Sequence, residues 1–262
     1  MKEIAIRIAF AVLAASLLAL LAFLKKSLTK PALLLAWASA VVIGYWGGVG
    51  GFVILAVTFV FTVLSDKIGR SRAARQKSEC RKLIQIVANV GTGTALLLIL
   101  SLLKQTEIAF FLYASAMASS LADSMASGIG VLQKRDPVSI LTWKRIPRGR
   151  SGGVSATGLL ASLLGSALIA GCYAAFSGKP VLSLFVLAAG FLCALADSVY
   201  GALLQGKYLC SVDGAYTEKR FCHGEEARLI GGFRVIDNNI VNLMNNVTAA
   251  ALAALVVLTE LI

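Results

Sequence analysis

The sequence predicts an all-α integral membrane protein, a polytopic bundle of about eight transmembrane helices. Hydrophobic residues make up 58% of its 262 residues, which is more than one soluble core of this length can bury. At about 20 residues per span, this length leaves little for a soluble domain, so we expect one membrane domain over residues 1–262. The predicted spans, bounded by charges, glycine or proline, are 4–24, 31–46, 51–64, 83–103, 108–132, 154–176, 180–204 and 237–259.

The first three of these spans differ from the others in length or in sequence context. The first resembles a signal peptide, but lysines follow it directly without a small-residue cleavage site, so we interpret it as a retained helix. The second and third are short, and the segment that joins them, residues 44–51, is rich in glycine and carries no charge. This segment is compatible with a tight hairpin or with a re-entrant turn.

Positive charge supports the number of spans and predicts their orientation. Of the 25 lysines and arginines, 21 fall in the alternate loops 25–30, 65–82, 133–150 and 205–236. Such loops are typically cytoplasmic, so both termini are predicted outside, and the cell (plasma) membrane is the expected location. The net charge of +12 therefore indicates orientation and contact with membrane lipids, and we predict no nucleic-acid partner. The sequence gives no indication of the oligomeric state.

A short motif occurs twice. Leu-Ala-Asp-Ser stands at residues 121–124 and again at 195–198, each time late in a predicted span that runs inward. A glutamine follows each copy, and a basic loop with a pair of glycines comes after it. This order suggests a parallel internal duplication, whereas transporters with inverted repeats would have the two copies in opposite orientations.

Polar residues within the spans identify a candidate site. Ionisable side chains are rare in membranes and usually functional, which singles out Asp123 and Asp197. Counted at 1.5 Å per residue, they lie about 10 to 15 Å from the cytoplasmic ends of their helices, as do Asn89 and Asn242. Asn238 and Asn242 belong to an asparagine stripe on one face of the last span, with Asp237 at its mouth. Interhelical hydrogen bonding is the alternative role for this stripe.

The chemistry of these groups favours a magnesium–phosphate site. Paired aspartates with amide oxygens suit Mg²⁺, and we assign Asp123 and Asp197 as its ligands. Arg148 and Arg150 precede a turn, Ser151, Gly152 and Gly153, at the predicted start of a span, where free N–H groups and the helix dipole bind anions. An orienting basic loop is the alternative interpretation.

Other catalytic chemistries lack the necessary residues. The single histidine, His223, has no nucleophile motif beside it, and no HExxH sequence occurs. The five cysteines form no CxxC pair, so we predict no disulfide. The spacing of Cys210, Cys222 and His223 matches no common zinc pattern, and we predict no zinc site there. Phosphoryl transfer, which depends mainly on positioning and charge neutralisation, remains.

Five ordered blocks carry a family resemblance. They are residues 81–89 (RKLIQIVAN), 121–132 (LADSMASGIGVL), 148–158 (RGRSGGVSATG), 195–205 (LADSVYGALLQ) and 231–246 (GGFRVIDNNIVNLMNN). Together they resemble the membrane family that contains the plant and cyanobacterial phytyl-phosphate kinase, which is related to dolichol kinases. The loop 206–227 has no counterpart that we can match.

The resemblance implies a kinase that converts a prenyl lipid monophosphate, such as phytyl phosphate, to the diphosphate. CTP is the expected phosphate donor, with another nucleoside triphosphate as the alternative, and Mg²⁺ is the expected cofactor. From the chemistry of their side chains and backbone groups, we expect Asn89, Ser151, Gly152, Gly153 and Asp237 to bind nucleotide or phosphate together with the two arginines. Asp123, Asp197, Asn238 and Asn242 would be catalytic. A transporter or flippase of an anionic lipid or small solute, and a CTP-dependent transferase that forms a CDP-lipid, remain open alternatives.

Overall fold

Helices account for most of the chain, as expected for a membrane protein. The computed structural model describes residues 2–72 and 81–259, so residues 73–80 of the predicted basic loop lie outside the described part. Each predicted span falls on one helix. The helices are α1 (Lys2–Leu24), α2 (Lys30–Trp46), α3 (Gly48–Arg72), α4 (Leu83–Leu102), α5 (Thr106–Gly130), α6 (Ala156–Ser177), α7 (Pro180–Leu203) and α8 (Asn238–Leu258).

Within the described ranges, seven of these helices are long and apolar enough to cross a membrane, and α2, with 17 residues, is shorter. Their outer faces carry exposed apolar side chains, among them Leu13, Leu34, Leu160 and Leu184, each more than 60% accessible. In water such a surface would be unfavourable, whereas in a bilayer it contacts lipid tails. The all-α transmembrane fold is confirmed.

The prediction that the third span is short was wrong. Helix α3 has 25 residues, because its helix starts within the glycine-rich segment, at Gly48, and continues past the apolar run beyond Asp66. A single residue, Gly47, separates it from α2, and Gly48 takes a left-handed φ of 59°. The connection is therefore a tight turn, which glycine permits without steric strain.

Helix α4 contains an irregular turn. Residues Val87–Gly91 form one turn of π-helix within an otherwise α-helical segment. Single π-helical turns occur often at functional sites, since they rotate the following side chains relative to a regular helix. Asn89 lies in this turn.

Helix α5 is the centre of the bundle and packs against α3, α4, α6, α7 and α8. Its sequence is rich in alanine and serine, and small residues let helix backbones approach closely in membranes. Gly128 on α5 is an example, because a β-carbon added there would lie 2.7 Å from the backbone of Ser65 on α3. This close packing places the late part of α5, which holds Asp123, inside the bundle.

Short strands lie at one end of the bundle, between the helices. Strands β1 (Val138–Ser139) and β2 (Gly153–Val154) pair in the loop before α6. The loop before α8 holds β3 (Lys207–Leu209), β4 (Tyr216–Thr217), β5 (Phe221–Cys222), β6 (Glu225–Glu226) and β7 (Arg228–Gly231). Strands β4, β3 and β7 form one antiparallel sheet and β5 pairs with β6. We call the segment from β3 to β7 the hairpin module.

One prediction about the cysteines was also wrong. In the hairpin module Cys210 and Cys222 form a disulfide, with their α-carbons 5.6 Å apart. They are 12 residues apart in sequence, so no local motif announces the pairing. Two hairpin turns bring them together. Cys172 and Cys193, on α6 and α7, are free thiols.

Candidate functional site

The two aspartates of the repeated motif face each other. Asp123 on α5 and Asp197 on α7 are both half-buried, and their carboxyl groups lie within hydrogen-bonding reach of each other. Oδ1 of Asp197 is buried and has no hydrogen-bond partner among the described residues. Two contacting carboxylates repel each other unless a proton or a cation lies between them. This pair therefore has the composition of a cation site.

The turn that carries Ser151 differs from its predicted form. Helix α6 starts at Ala156, and Ser155 caps it by accepting a hydrogen bond from the Gly158 N–H at 3.1 Å. The expected helix start at the glycine pair was wrong, because Gly153 pairs with β1 as part of β2. Residues 151–153, which we call the Ser151 turn, belong to a loop that packs against α7. Gly152 has a φ of 84°, and a β-carbon there would lie 2.4 Å from that of Ala202.

An anionic group already lies against this turn. The Glu218 carboxylate accepts hydrogen bonds from the backbone N–H of Ser151 at 2.7 Å and from its hydroxyl at 2.8 Å. The side-chain amide of Gln205 donates to the other carboxylate oxygen at 2.8 Å. Tyr216 donates its hydroxyl to the same group at 3.2 Å. Four donors from three segments therefore converge on two oxygens that carry one negative charge.

Tyr216 is suited to this role as a donor. Its burial, and next the charge of Glu218, raise the pKa of Tyr216 to about 12, so its hydroxyl stays protonated at neutral pH. The guanidinium of Arg150 stacks over the Tyr216 ring, 4.5 Å from its centroid. This cation–π contact links one of the predicted phosphate-binding arginines to the hairpin module.

One cavity of about 250 Å³ lies at the end of the bundle, and Gln205 and Glu218 are among the residues that line it. Most of the predicted site residues line it, namely Asp123, Arg148, Arg150, Ser151, Gly152, Gly153, Asp197 and Asn238. Arg148 also pairs with Asp136, 3.5 Å from its Nε, and is exposed. Asp123 lies seven residues from the end of α5 and Asp197 six from the end of α7, which corresponds to depths of about 9 to 11 Å.

A line of amides leads from this cavity towards α4. Asn238 donates to Asn242 at 3.4 Å, and Asn242 donates to Asn89 at 3.1 Å. One turn further along α8, the side-chain amide of Asn246 donates to the Ala88 carbonyl at 2.7 Å. The asparagine stripe therefore both reaches the site and joins α8 to the π-helical turn of α4.

Asn89 lies on a second, apolar cavity of about 70 Å³ between α1, α2, α3, α4 and α5. Aromatic and aliphatic side chains such as Trp37 and Phe59 line most of it. Ser124, the residue after Asp123, lines it as well. Two consecutive residues of α5 therefore line different cavities: Asp123 lines the polar cavity and Ser124 lines the apolar cavity.

Asp237 has a different position from the other predicted phosphate-binding residues. Its carboxylate caps α8 and accepts hydrogen bonds from the N–H groups of Asn239 and Ile240 at 2.9 and 3.0 Å. It does not belong to the residues that line the polar cavity. The structure thus gives Asp237 a place as a helix cap, and a direct role in binding stays a prediction.

Sequence reasoning missed Glu218 and Tyr216 and noted Gln205 only as part of the repeat. Glu218 lies 67 residues from Ser151 in a loop without a recognisable motif, so nothing local indicated the contact. Gln205 did carry a signal, because a glutamine follows both copies of the motif. The first of these, Gln133, accepts a hydrogen bond from Thr157 N–H at 3.4 Å, at the start of α6.

The chain matches the family described as "Integral membrane protein DUF92" over residues 13–250. It belongs to this family. The assignment confirms the membrane family predicted from the five sequence blocks. No solved structure matches the DUF92 chain.

Three relatives show the sequence identity between this DUF92 protein and other proteins. Protein PGR of Arabidopsis thaliana is 28% identical over 91% of this chain and 92% of its own length. The uncharacterized membrane protein MJ0933 of Methanocaldococcus jannaschii is 30% identical over 62% of this chain and 68% of its own. The Arabidopsis protein named "VTE6, chloroplastic" is 25% identical over 76% of this chain and 56% of its own.

Proposed function

We propose that this DUF92 protein is a kinase that transfers a phosphoryl group from a nucleoside triphosphate, with CTP preferred, to a prenyl lipid monophosphate. The observation that carries the proposal is the convergence of the Asp123–Asp197 pair with the Ser151 turn and two arginines on one cavity. Phosphoryl transfer needs a cation, donors for the phosphate oxygens and a held acceptor. The cavity offers residues for each of these.

The contact between Glu218 and Ser151 supports the anion-binding part of the proposal. A carboxylate and a phosphate both present oxygens with negative charge, and both accept from backbone N–H and hydroxyl groups. The donors that now hold Glu218 would therefore hold a nucleotide phosphate once the carboxylate moves away. Arg148 and Arg150 lie exposed at the same cavity and add positive charge.

The aspartate pair supports the choice of Mg²⁺. Hard carboxylate oxygens are the ligands that this ion prefers, and the unpartnered Oδ1 of Asp197 leaves one oxygen available. When bound, Mg²⁺ would neutralise charge on the phosphates during transfer. Asp123 and Asp197 would hold it.

The amide line supports a lipid acceptor. Asn238 lies at the polar cavity, and Asn89, two hydrogen bonds away, lies at the apolar cavity. A prenyl monophosphate has a charged head and an apolar tail, so the polarity of its two ends corresponds to that of the two cavities. Asn238 and Asn242 would orient the acceptor phosphate, and the apolar faces of α1 to α4 would surround the tail.

The chemistry then follows from positioning. An oxygen of the lipid phosphate attacks the γ-phosphorus, the bond to the β-phosphate oxygen breaks, and lipid diphosphate and nucleoside diphosphate are the products. The Ser151 donors and the two arginines would stabilise the charge that shifts onto the phosphate oxygens. We place this site on the cytoplasmic side, where nucleotide is available and where the positive loops are predicted.

Product mass provides the test. Purified protein is given phytyl or geranylgeranyl phosphate, Mg²⁺ and each of four nucleoside triphosphates. A lipid diphosphate with the nucleoside diphosphate supports the proposal, whereas a CDP-lipid with pyrophosphate would show a transferase. Failure to consume nucleotide with every prenyl phosphate tested would reject both enzyme functions and favour transport.

A further inference from the structure

Four side chains with the donor atoms of a zinc site converge in the hairpin module, away from the polar cavity. One ligand atom each from Cys210, Asp213, Cys222 and His223 lies within 4.8 Å of all the others. In a tetrahedral site with bonds of 2.0 to 2.3 Å, ligand atoms are about 3.3 to 3.8 Å apart. Only small side-chain movements therefore separate this arrangement from metal coordination. We propose that the reduced form of the module binds one Zn²⁺ ion through these four residues.

Two hairpin turns supply the ligands in pairs. Cys210 and Asp213 lie in the turn between β3 and β4, with the two-residue spacing that is common for paired zinc ligands. This turn is tightly fixed, since Cys210 N–H donates to the Ala215 carbonyl at 2.8 Å and Ala215 N–H donates to Asp213 at 2.9 Å. The comparison of Cys210, Cys222 and His223 with common zinc patterns did not include Asp213, which supplies the fourth ligand here.

Cys222 is the last residue of β5, and His223 is the first residue of the turn that leads to β6. Neighbouring residues in an extended strand point to opposite faces and would not reach one ion. His223, however, has a left-handed φ of 53°, followed by 86° at Gly224, which is the pattern of a type I′ turn. A left-handed histidine is uncommon, and such backbone conformations concentrate at functional sites. Here the turn brings the ring to Asp213, with Nε2 3.3 Å from the carboxylate oxygen.

The redox state decides which bonds form. In the structure Cys210 and Cys222 are joined as a disulfide. Two electrons and two protons convert this bond to two thiols, and binding of Zn²⁺ then releases the two protons as the thiolates bond to the metal. Thiols in the cytoplasm stay reduced, and this loop is predicted to be cytoplasmic. The buried position of Cys210 and the exposed position of His223 suit a site at the edge of a small module.

Cobalt serves as the probe because its thiolate complexes absorb near-ultraviolet and visible light, whereas those of zinc absorb only in the far ultraviolet. The full-length protein in detergent is prepared in two states, as the disulfide and after reduction by a phosphine that is itself oxidised to the phosphine oxide. Reduced protein should bind about one cobalt ion per chain with a thiolate-to-metal absorption band that Zn²⁺ abolishes by displacement. The disulfide form should show no such band. Equal metal binding by both forms, or none by the reduced form, would overturn the proposal.

Variants assign the ligands. Cys210→Ser and Cys222→Ser should each weaken the band strongly, because one of the two thiolates is lost, and His223→Ala should weaken binding at least tenfold. Cys172→Ser is the matched control, because this thiol lies on α6, and it should bind cobalt like the parent. An unchanged band in both module variants would contradict the assignment. The comparison of the two redox states of the parent protein remains decisive where a variant does not fold, and it requires no kinase activity.

Discussion

The Ser151 backbone N–H and hydroxyl both donate to one oxygen of Glu218, at 2.7 and 2.8 Å. A carboxylate thus occupies the donors that we assign to a nucleotide phosphate. The Glu218 carboxylate and a nucleotide phosphate would compete for these donors, because two anions bound there together would repel each other strongly. Glu218 therefore has a testable effect on nucleotide affinity.

Replacing Glu218 with alanine should strengthen nucleotide binding. Hydrogen bonds to charged groups contribute about 1.5 to 3 kcal/mol, so removing the competing carboxylate should lower the nucleotide dissociation constant about tenfold. Titration calorimetry with CTP measures this. Glu225→Ala, an exposed glutamate of the same module, is the control and should have no effect. Lost turnover with unchanged nucleotide affinity would instead show that Glu218 takes part in catalysis.

Asp123→Asn and Asp197→Asn should each lower the rate of lipid diphosphate formation about 100-fold or more, because each removes a charged metal ligand. Neither should lower the thermal midpoint of unfolding, since an isosteric amide relieves the repulsion between two contacting carboxylates. Glu107→Gln, at the opposite end of α5, is the control and should retain activity. Retained activity in either aspartate variant would reject the metal role.

Gly152→Ala should destabilise the protein and disrupt the Ser151 turn. The substitution places a β-carbon 2.4 Å from Ala202 and also strains a backbone with a φ of 84°. Each effect costs about 1 to 3 kcal/mol. Gly149→Ala separates the two, because Gly149 has a similar φ of 78° but nothing within 4 Å of the added carbon. Thermal unfolding should show a lower midpoint for Gly152→Ala, and equal midpoints would contradict the packing argument.

The asparagines of the stripe should have two different functions, depending on their position along α8. Asn238 is exposed at the polar cavity, so Asn238→Ala should raise the KM for the lipid phosphate and leave the melting temperature unchanged. Asn246 is buried and bonded to the Ala88 carbonyl, so Asn246→Ala should cost about 1 kcal/mol of stability. Kinetic and melting data on both variants test this division. The same effect from both would show that the stripe serves a single purpose.

The helices followed from sequence because the membrane imposes a simple rule on composition. Apolar runs and the alternation of basic loops located eight helices, and the cost of intramembrane charge singled out Asp123 and Asp197. Hydropathy, loop charge and intramembrane charge are properties of single segments. A shared site follows from them only because both aspartates lie at similar depth.

Contacts between distant segments could not be predicted in the same way. The contact of Glu218 with Ser151 and the pairing of Cys210 with Cys222 depend on how a small β-module folds back on the helix ends. Neither has a periodic pattern or a spacing that would reveal it. The start of α6 was misplaced for a related reason, because pairing between β1 and β2 draws Gly153 into a strand.

The buried position of α5 has a consequence for biogenesis. This helix is the least apolar of the seven long ones, and the other helices cover most of its surface. A segment of this kind partitions weakly into lipid by itself, since several of its residues are polar. Its insertion should therefore depend on neighbours already present in the bilayer, and α3 and α4 precede it during synthesis. N-terminal truncations that remove these neighbours should therefore block the insertion of the helix that carries Asp123.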